Sequence, residues 1–522
     1  MYASFVRWTT EVPATTTRIE SRVVQNKDLV TVLATMGRTP SADDAVGEGK
    51  SPGNVHLEPV DQLDARVASS MSAAKTNPPR ALSLLQVVGM LFLLTSGGGY
   101  GLEPIVGAAG PRWALLAMLV VPWLWALPQA LMASELATLI PEDGGYVLWV
   151  EAAMGPFTGF QQGWWSFVDS LVDNALFPRL FSDYIVRVAP VLGVYGSWFC
   201  GLLVLALCTI VNILGVSIVG WVAVLFTVVV ISPFLLICVF GFRQTRPEAW
   251  LSTRPLTEVN WRLFLAALLW NWCGFDSCST IAGEIVDVHR TFPRAMVIVL
   301  LLTMMIFTLP IAAAVSTNHV WSEWRDAFWP TAANRLAGGH WLGILVSIGG
   351  MCSAAGMLSS LVATSSRALY GMTRMEMLPG GLGVLHPRFR TPWVCVLIIG
   401  LGTGCFTALP FNVLIQIDST LYCLKVALEF IALAVLRRKW PDRDRPFRIG
   451  GGFWGLFYVI GCGLFCCMAM AVLSGLWSAI SAAITVATGL ILYGMLRFSR
   501  RFQRAPATRN SASPWTIEEA PA

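Results

Sequence analysis

The sequence predicts an all-α polytopic membrane protein of about twelve transmembrane helices, arranged as a 5+5 inverted repeat whose first and sixth helices are broken. Three observations carry this. The 522-residue chain is 55% hydrophobic and 13% charged, with 22 tryptophans and a mean hydropathy of +0.63, far outside soluble globular composition. Between 81 and 498 it divides into about twelve apolar stretches, long enough as a set for the roughly 20 residues that cross a bilayer. Two of those stretches, five segments apart, are interrupted by glycine and polar residues.

The first interruption is Thr95-Ser96-Gly97-Gly98-Gly99-Tyr100-Gly101-Leu102-Glu103-Pro104. Consecutive glycines forfeit roughly 1 kcal/mol each of helix propensity, and Pro104 suits the first turn of a new helix because its missing N–H has no partner there. The stretch therefore predicts two half-helices, with Gly97, Gly98, Gly99 and Tyr100 in an unwound, substrate-facing segment. Unwound backbone inside a membrane persists only where it lines a cavity or is buried in protein. The second interruption, Trp270-Asn271-Trp272-Cys273-Gly274-Phe275-Asp276-Ser277-Cys278-Ser279, cuts the sixth stretch. Breaks at corresponding positions of two five-helix halves point to a secondary transporter that holds its substrate at the midplane between them. Two kinked helices of a channel or sensor are the alternative.

The stretches run 81–110, 112–139, 155–180, 198–213, 218–241, 261–285, 294–316, 341–364, 392–410, 412–437, 453–475 and 477–498. They group into repeats at 81–241 and 261–437 with two added helices at 453–498. Residues 1–80 are polar, with no basic and apolar leader pattern, and read as a disordered tail, as does 499–522. Gly49-Lys50-Ser51 resembles the end of a phosphate-binding loop, but Asp44 stands where its first glycine would be, which excludes nucleotide binding there. Arginines and lysines collect on one side, at Arg290, Arg294, Arg367, Arg374, Arg388, Arg390, the 437–448 cluster and 497–504. The other side holds chiefly Arg243, Arg246, Arg254 and Arg262. The positive-inside rule then places both termini in the cytosol.

The twelve cysteines lie mostly within apolar stretches without metal-ligand spacing and read as small packing residues. Nothing resembles a nucleophile elbow or a metal-binding helix, so neither an enzyme nor a cofactor or metal protein is expected, and no nucleic-acid partner is implied.

Charge inside the apolar stretches locates the chemistry. An intramembrane acid costs upwards of about 2.5 kcal/mol and is functional by default. Asp169 and Asp173 lie one turn apart near the middle of the third stretch, and Asp276 sits in the second break. Converging acids suit a di- or polycation that carries no carboxylate, and neighbouring carboxylates favour holding a proton. Glu103, directly before Pro104, either caps the outer half-helix or accepts a substrate ammonium. In amino acid transporters that half-helix N-terminus is left for the substrate carboxylate. Tyr422, Lys425 and Glu429 form one stripe of the tenth stretch; Lys425 and Glu429 are expected to form an i,i+4 ion pair, the alternative being that Lys425 acts as a built-in cation. Tyr100, Trp270, Trp272 and Phe275 offer cation–π faces, or packing. Asn271 sits beside them at the break. Glu135, and Glu284 with Arg290 and Arg294 nearby, are placed as parts of an inner gate.

Gly98-Gly99-Tyr100-Gly101-Leu102-Glu103, Val106-Gly107-Ala108-Ala109-Gly110-Pro111, Ser134-Glu135-Leu136-Ala137-Thr138, Gly144-Gly145-Tyr146-Val147-Leu148-Trp149-Val150 and Gly159-Phe160-Gln161-Gln162-Gly163-Trp164 together resemble the polyamine-uptake branch of the amino acid/polyamine/organocation superfamily. Asp173-Asn174-Ala175-Leu176-Phe177-Pro178, Ala282-Gly283-Glu284 and Leu428-Glu429-Phe430 extend the resemblance, which covers about 85–450. It implies a leucine-transporter-type fold and import of putrescine or spermidine with protons by alternating access. Pro104, Arg179 and Lys425 depart from the pattern. A transporter of cationic amino acids is the rival expectation, and plasma membrane the expected location.

Overall fold

Proline and glycine set where the helices start. The computed structural model describes residues 78–503 except 253–254, 316–322, 326, 410 and 474; Gly49-Lys50-Ser51, most of the tail at 1–80 and the end of the C-terminal tail lie outside the described residues. The described helices are α1 Leu84–Thr95, α2 Glu103–Ala109, α3 Pro111–Leu139, α4 Tyr146–Met154, α5 Pro156–Val188, α6 Gly193–Leu214, α7 Val216–Phe242, α8 Pro247–Leu251, α9 Trp261–Asn271, α10 Val288–Ala314, α11 Trp329–Ala337, α12 Trp341–Arg374, α13 Trp393–Phe406, α14 Phe411–Lys439, α15 Gly452–Leu473 and α16 Leu476–Gln503. Gly110 and Gly155, with φ of 86° and 90°, turn the chain immediately before Pro111 and Pro156 open α3 and α5.

The chain is an all-α membrane protein with about twelve crossings. The first crossing is α1 and α2 on either side of an unwound segment; the sixth is α9 followed by a 3-10 stretch, Ser277–Glu284. The helices α3, α7, α10, α12, α14, α15 and α16 are each apolar and long enough to span a bilayer, as is α6 with the turn before it. The 33-residue α5 is long enough but too polar by composition, because it carries Asp169, Asp173, Arg179, Asp183 and Arg187.

The long helices α5 and α12 pack against each other, and α14 packs on α5. Close approach depends on small residues: a Cβ on Gly349 would run into the Tyr100 hydroxyl, and one on Gly350 would sit 2.8 Å from the Tyr184 ring. Several bounds differ from expectation. The third crossing runs on to Val188 and the eighth to Arg374, and α4 and α11 occupy segments read as loops. The second half of the sixth crossing is wound as a 3-10 helix. The turn Gly144-Gly145, at φ of 106° and 43°, releases α4 from the end of α3, a device that apolar periodicity does not reveal. No disulfide joins the twelve cysteines.

Candidate functional site

The two breaks touch. Gly274, at φ 89°, presents no side chain to the end of α1, where a Cβ would lie 2.5 Å from the Leu94 carbonyl oxygen. Asn271 Nδ2 donates to the Gly101 carbonyl at 3.1 Å, joining one break to the other. Buried backbone freed from a helix needs new partners. The Ser353 hydroxyl donates to the Gly97 carbonyl and Trp329 Nε1 to the Gly99 carbonyl at 2.6 Å, while the Tyr100 hydroxyl donates to Val346 O at 2.7 Å.

Beside the breaks lies a cavity of about 1140 Å³, with Tyr100, Asp169, Asp173, Trp270, Asn271 and Tyr422 among its walls. These sequence-predicted residues from four crossings are brought together. Asp418 and Tyr146 join them, and Trp270 Nε1 donates to Asp418 Oδ2 at 3.1 Å. Lys425 Nζ projects into the same space, 2.9 Å from Asp169 Oδ2 and 3.9 Å from Asp276 Oδ2, with the rings of Tyr422 and Tyr146 at 4.8 and 5.4 Å. This corrects the expected Lys425–Glu429 pair. The lysine stem reaches across to α5, and Glu429, one turn on, accepts instead from Gln162 Nε2 at 3.0 Å. Arg179 pairs with Asp183 at 3.6 Å, away from Asp169 and Asp173.

The Tyr422 hydroxyl is a node. It accepts from the Gly274 N–H at 2.8 Å and lies 2.7 Å from Gln129 Oε1 and 2.6 Å from Asp276 Oδ1. Gln129 Nε2 donates to the carbonyls of Trp125 and Trp272 at 3.2 and 3.1 Å, which fixes Oε1 as the atom facing Tyr422.

Other expected residues stand elsewhere. Cβ atoms on Gly98 and Gly99 would meet Val230 and Phe234 of α7 at 2.5 and 2.8 Å, and one on Gly97 would meet Met357, so these glycines admit side chains rather than face the cavity. Phe275 is wholly buried behind the wall. Glu103 is also buried, and its Oε2 accepts from the Gly101 N–H at 2.8 Å, closing the loop onto its own helix.

At the end of the bundle rich in arginine, Glu284 Oε1 lies 2.6 Å from Nε of Arg367, a fully buried residue of α12. Its expected neighbour Arg290 pairs weakly with Asp287 at 4.0 Å and is exposed. The Glu284 carbonyl also accepts from Ala81 and Leu82 N–H, and the Val286 N–H returns to Leu82 O at 3.0 Å, so the segment before α1 is bonded to the end of the sixth crossing. Glu135 takes Arg437 at 2.5 Å, Arg445 at 2.9 Å and the Ile449 N–H at 2.9 Å, tying the 440–450 loop to α3. Asp143, in the turn before α4, is held well above the usual carboxylate range by burial and then by the Glu284 charge, against the pull of Arg367 and Arg374.

Sequence reasoning missed Asp418, Gln129, Tyr146 and Arg367. Asp418 was within reach: with Tyr422, Lys425 and Glu429 it continues one stripe at i, i+4, i+7 and i+11. Tyr146 and Arg367 had no such signal, since each lies at the edge of a segment whose helical extent was not visible.

A membrane bundle whose two broken helices meet beside one charged cavity is the architecture of a secondary transporter. The chain belongs to the amino acid permease family, whose model matches residues 82–504, within the polyamine-uptake branch of the amino acid/polyamine/organocation superfamily. It is 35% identical over 445 residues to a probable polyamine transporter of Arabidopsis thaliana, covering 85% of this chain and 89% of that one. A polyamine transporter of the same plant is 37% identical over 388 residues, with 74% and 79% covered. A polyamine transporter of Oryza sativa subsp. japonica is 34% identical over 423 residues, with 80% and 79% covered.

Proposed function

We propose that the protein imports polyamines of the putrescine and spermidine class together with protons, by alternating access, across the plasma membrane with both termini cytosolic. The observation that carries the reading is the cluster of acids around the breaks: Asp169, Asp173 and Asp418 on the cavity wall and Asp276 at the break gather about Lys425, while the other charged wall residues are Asp183, paired with Arg179, Arg262, which donates to the Leu473 carbonyl, and Arg325. Such a site attracts an ammonium at each of several points, and Tyr100, Tyr146 and Tyr422 add π faces. The names of the relatives agree with it. An amino acid carboxylate finds a poor reception, because Glu103 already supplies a carboxylate to the Gly101 N–H at the break where a substrate carboxylate would dock.

Hydrogen counting at Tyr422 supports the proton. Three short contacts meet at its oxygen, and the Gly274 N–H and the phenol supply two hydrogens. Gln129 Oε1 has none to give, so the single phenolic hydrogen cannot serve Gln129 Oε1 and Asp276 Oδ1 at once, and a mobile proton would complete the third contact. Asp276, whose contacts link the broken sixth crossing to α3 and α14, is the residue we assign as proton carrier.

The test is uptake of labelled putrescine into vesicles of purified protein with an acidic exterior. Accumulation above equilibrium, blocked by unlabelled spermidine and agmatine but not by arginine, is expected; agmatine is arginine without its carboxylate. Competition by arginine equal to agmatine would replace this reading with the amino acid one, and failure to accumulate any of them would reject active transport of this class.

A further inference from the structure

Lys425 occupies a cage built for an ammonium. Its Nζ has a carboxylate at 2.9 Å and aromatic rings on two sides, at 4.8 and 5.4 Å, inside the cavity that the substrate must enter. An amine of a free ligand would find these same groups. The residue is almost wholly buried, and its pairing with Asp169 crosses from α14 to α5 rather than following its own helix. Asp173 and Asp418 line the same cavity, and neither forms an ion pair with Lys425 among the described residues.

We propose that Lys425 is a tethered stand-in for one substrate ammonium, and that it sets the number of charges the transported polyamine carries. The proposal rests on the polyamine reading above. With Asp169 and Asp276 facing Lys425 at 2.9 and 3.9 Å and Asp183 paired with Arg179, Asp173 and Asp418 are the wall acids left to meet a substrate. The chain then favours a diamine over a triamine: a third ammonium meets a lysine where it needs a carboxylate. Without the lysine, Asp169 becomes a third subsite.

The experiment reads thermal stabilisation of the purified protein by putrescine and by spermidine, which reports binding without requiring transport. Lys425→Met is expected to raise the spermidine-to-putrescine affinity ratio by about tenfold, the scale of one charge-assisted contact. Asp169→Asn leaves the lysine competing with substrate for Asp173 and Asp418, and putrescine affinity is expected to fall about tenfold. The double variant Asp169→Asn/Lys425→Met removes both charges, which is structurally the mildest change to a buried pair, and is expected to recover putrescine affinity and the wild-type ratio. A purely structural pair predicts the same rescue, so the ratio in the single lysine variant decides the matter, and Lys425→Gln, which keeps a polar head in the cage without the charge, reads that ratio if Lys425→Met does not fold. An unchanged ratio in Lys425→Met, or a double variant no better than Asp169→Asn, overturns the charge-setting role while wild-type binding leaves the polyamine reading intact. Wild-type protein stabilised by neither amine overturns both.

Discussion

The Tyr422 hydroxyl lies 2.6 Å from Asp276 Oδ1 and so fastens the middle of α14 to the break in the sixth crossing. Replacing it with Tyr422→Phe leaves the buried Gly274 N–H and Gln129 Oε1 without the partner they share. Each buried group left unmatched costs about 1–3 kcal/mol, so the variant should melt several degrees lower. Asp276→Asn behaves differently: its amide can still hydrogen-bond the Tyr422 hydroxyl but can neither take up nor release a proton. Exchange of labelled for unlabelled putrescine should survive in that variant, while accumulation driven by a pH gradient disappears. Gradient-driven accumulation at the wild-type level in Asp276→Asn would remove Asp276 as the carrier.

The Glu284–Arg367 pair predicts a second asymmetry. Both side chains are buried, and deleting one partner of such a pair costs about 3–5 kcal/mol because the other charge is stranded. Arg367→Met should therefore lower the melting temperature sharply, whereas Arg290→Ala, at an exposed and distant pair, should change it little. Equal effects of the two substitutions would show that the buried Glu284–Arg367 pair contributes no more to stability than the exposed one.

These two networks also show what the sequence could convey. Both breaks were legible because glycine runs and a proline have no place in a continuous membrane helix, and Asp169 and Asp173 because acids at that depth need a reason. The partner of Lys425 was not legible: local spacing offers Glu429, and only the packing of α14 on α5 brings Asp169 nearer. Glu284 was assigned its neighbours in sequence, Arg290 and Arg294, for the same reason, while its partner Arg367 is 83 residues away. The glycines of the first break were read as unwound, which they are, but as facing substrate, whereas the space beside Gly98 and Gly99 belongs to Val230 and Phe234 of α7.

Asp143 gives the pH dependence a sign. Its carboxyl is raised by burial, so the folded protein binds that proton more tightly than the unfolded chain does. The stability this contributes is complete below the unfolded value of about 4 and is lost as pH rises through the raised folded value. Asp143→Asn should flatten this part of the profile and leave the protein relatively more stable at the alkaline end. Melting temperatures of the two proteins across a pH series check it; parallel curves would show that Asp143 does not titrate on folding.

Gly274 tests the contact between the breaks. Gly274→Ala must place a Cβ 2.5 Å from the Leu94 carbonyl oxygen at a φ of 89°, combining a backbone clash with an unfavourable conformation. Transport should be lost at matched surface expression. Gly155→Ala has a similar φ of 90° but open space around the new methyl, so it should cost stability alone and retain uptake.

Glu103 separates a helix cap from a substrate ligand. A carboxylate on the cavity wall that received an ammonium would lose on the order of tenfold or more in putrescine affinity on becoming an amide, since a hydrogen bond to a charged group is worth about 1.5–3 kcal/mol. The structure instead turns Glu103 Oε2 to the Gly101 N–H at 2.8 Å, and the side chain is buried. An amide oxygen can still accept that N–H, though more weakly, by about 1 kcal/mol. Glu103→Gln is therefore expected to lower the melting temperature modestly and to leave putrescine affinity within about twofold of wild type, whereas Asp173→Asn, on the wall itself, should weaken putrescine at least tenfold with insertion unaffected. Concentration-dependent putrescine uptake by the two variants at matched surface levels makes the comparison. A loss in Glu103→Gln as large as that in Asp173→Asn would return Glu103 to the substrate site, and arginine uptake gained by Glu103→Gln would show that its charge is what keeps an amino acid carboxylate out.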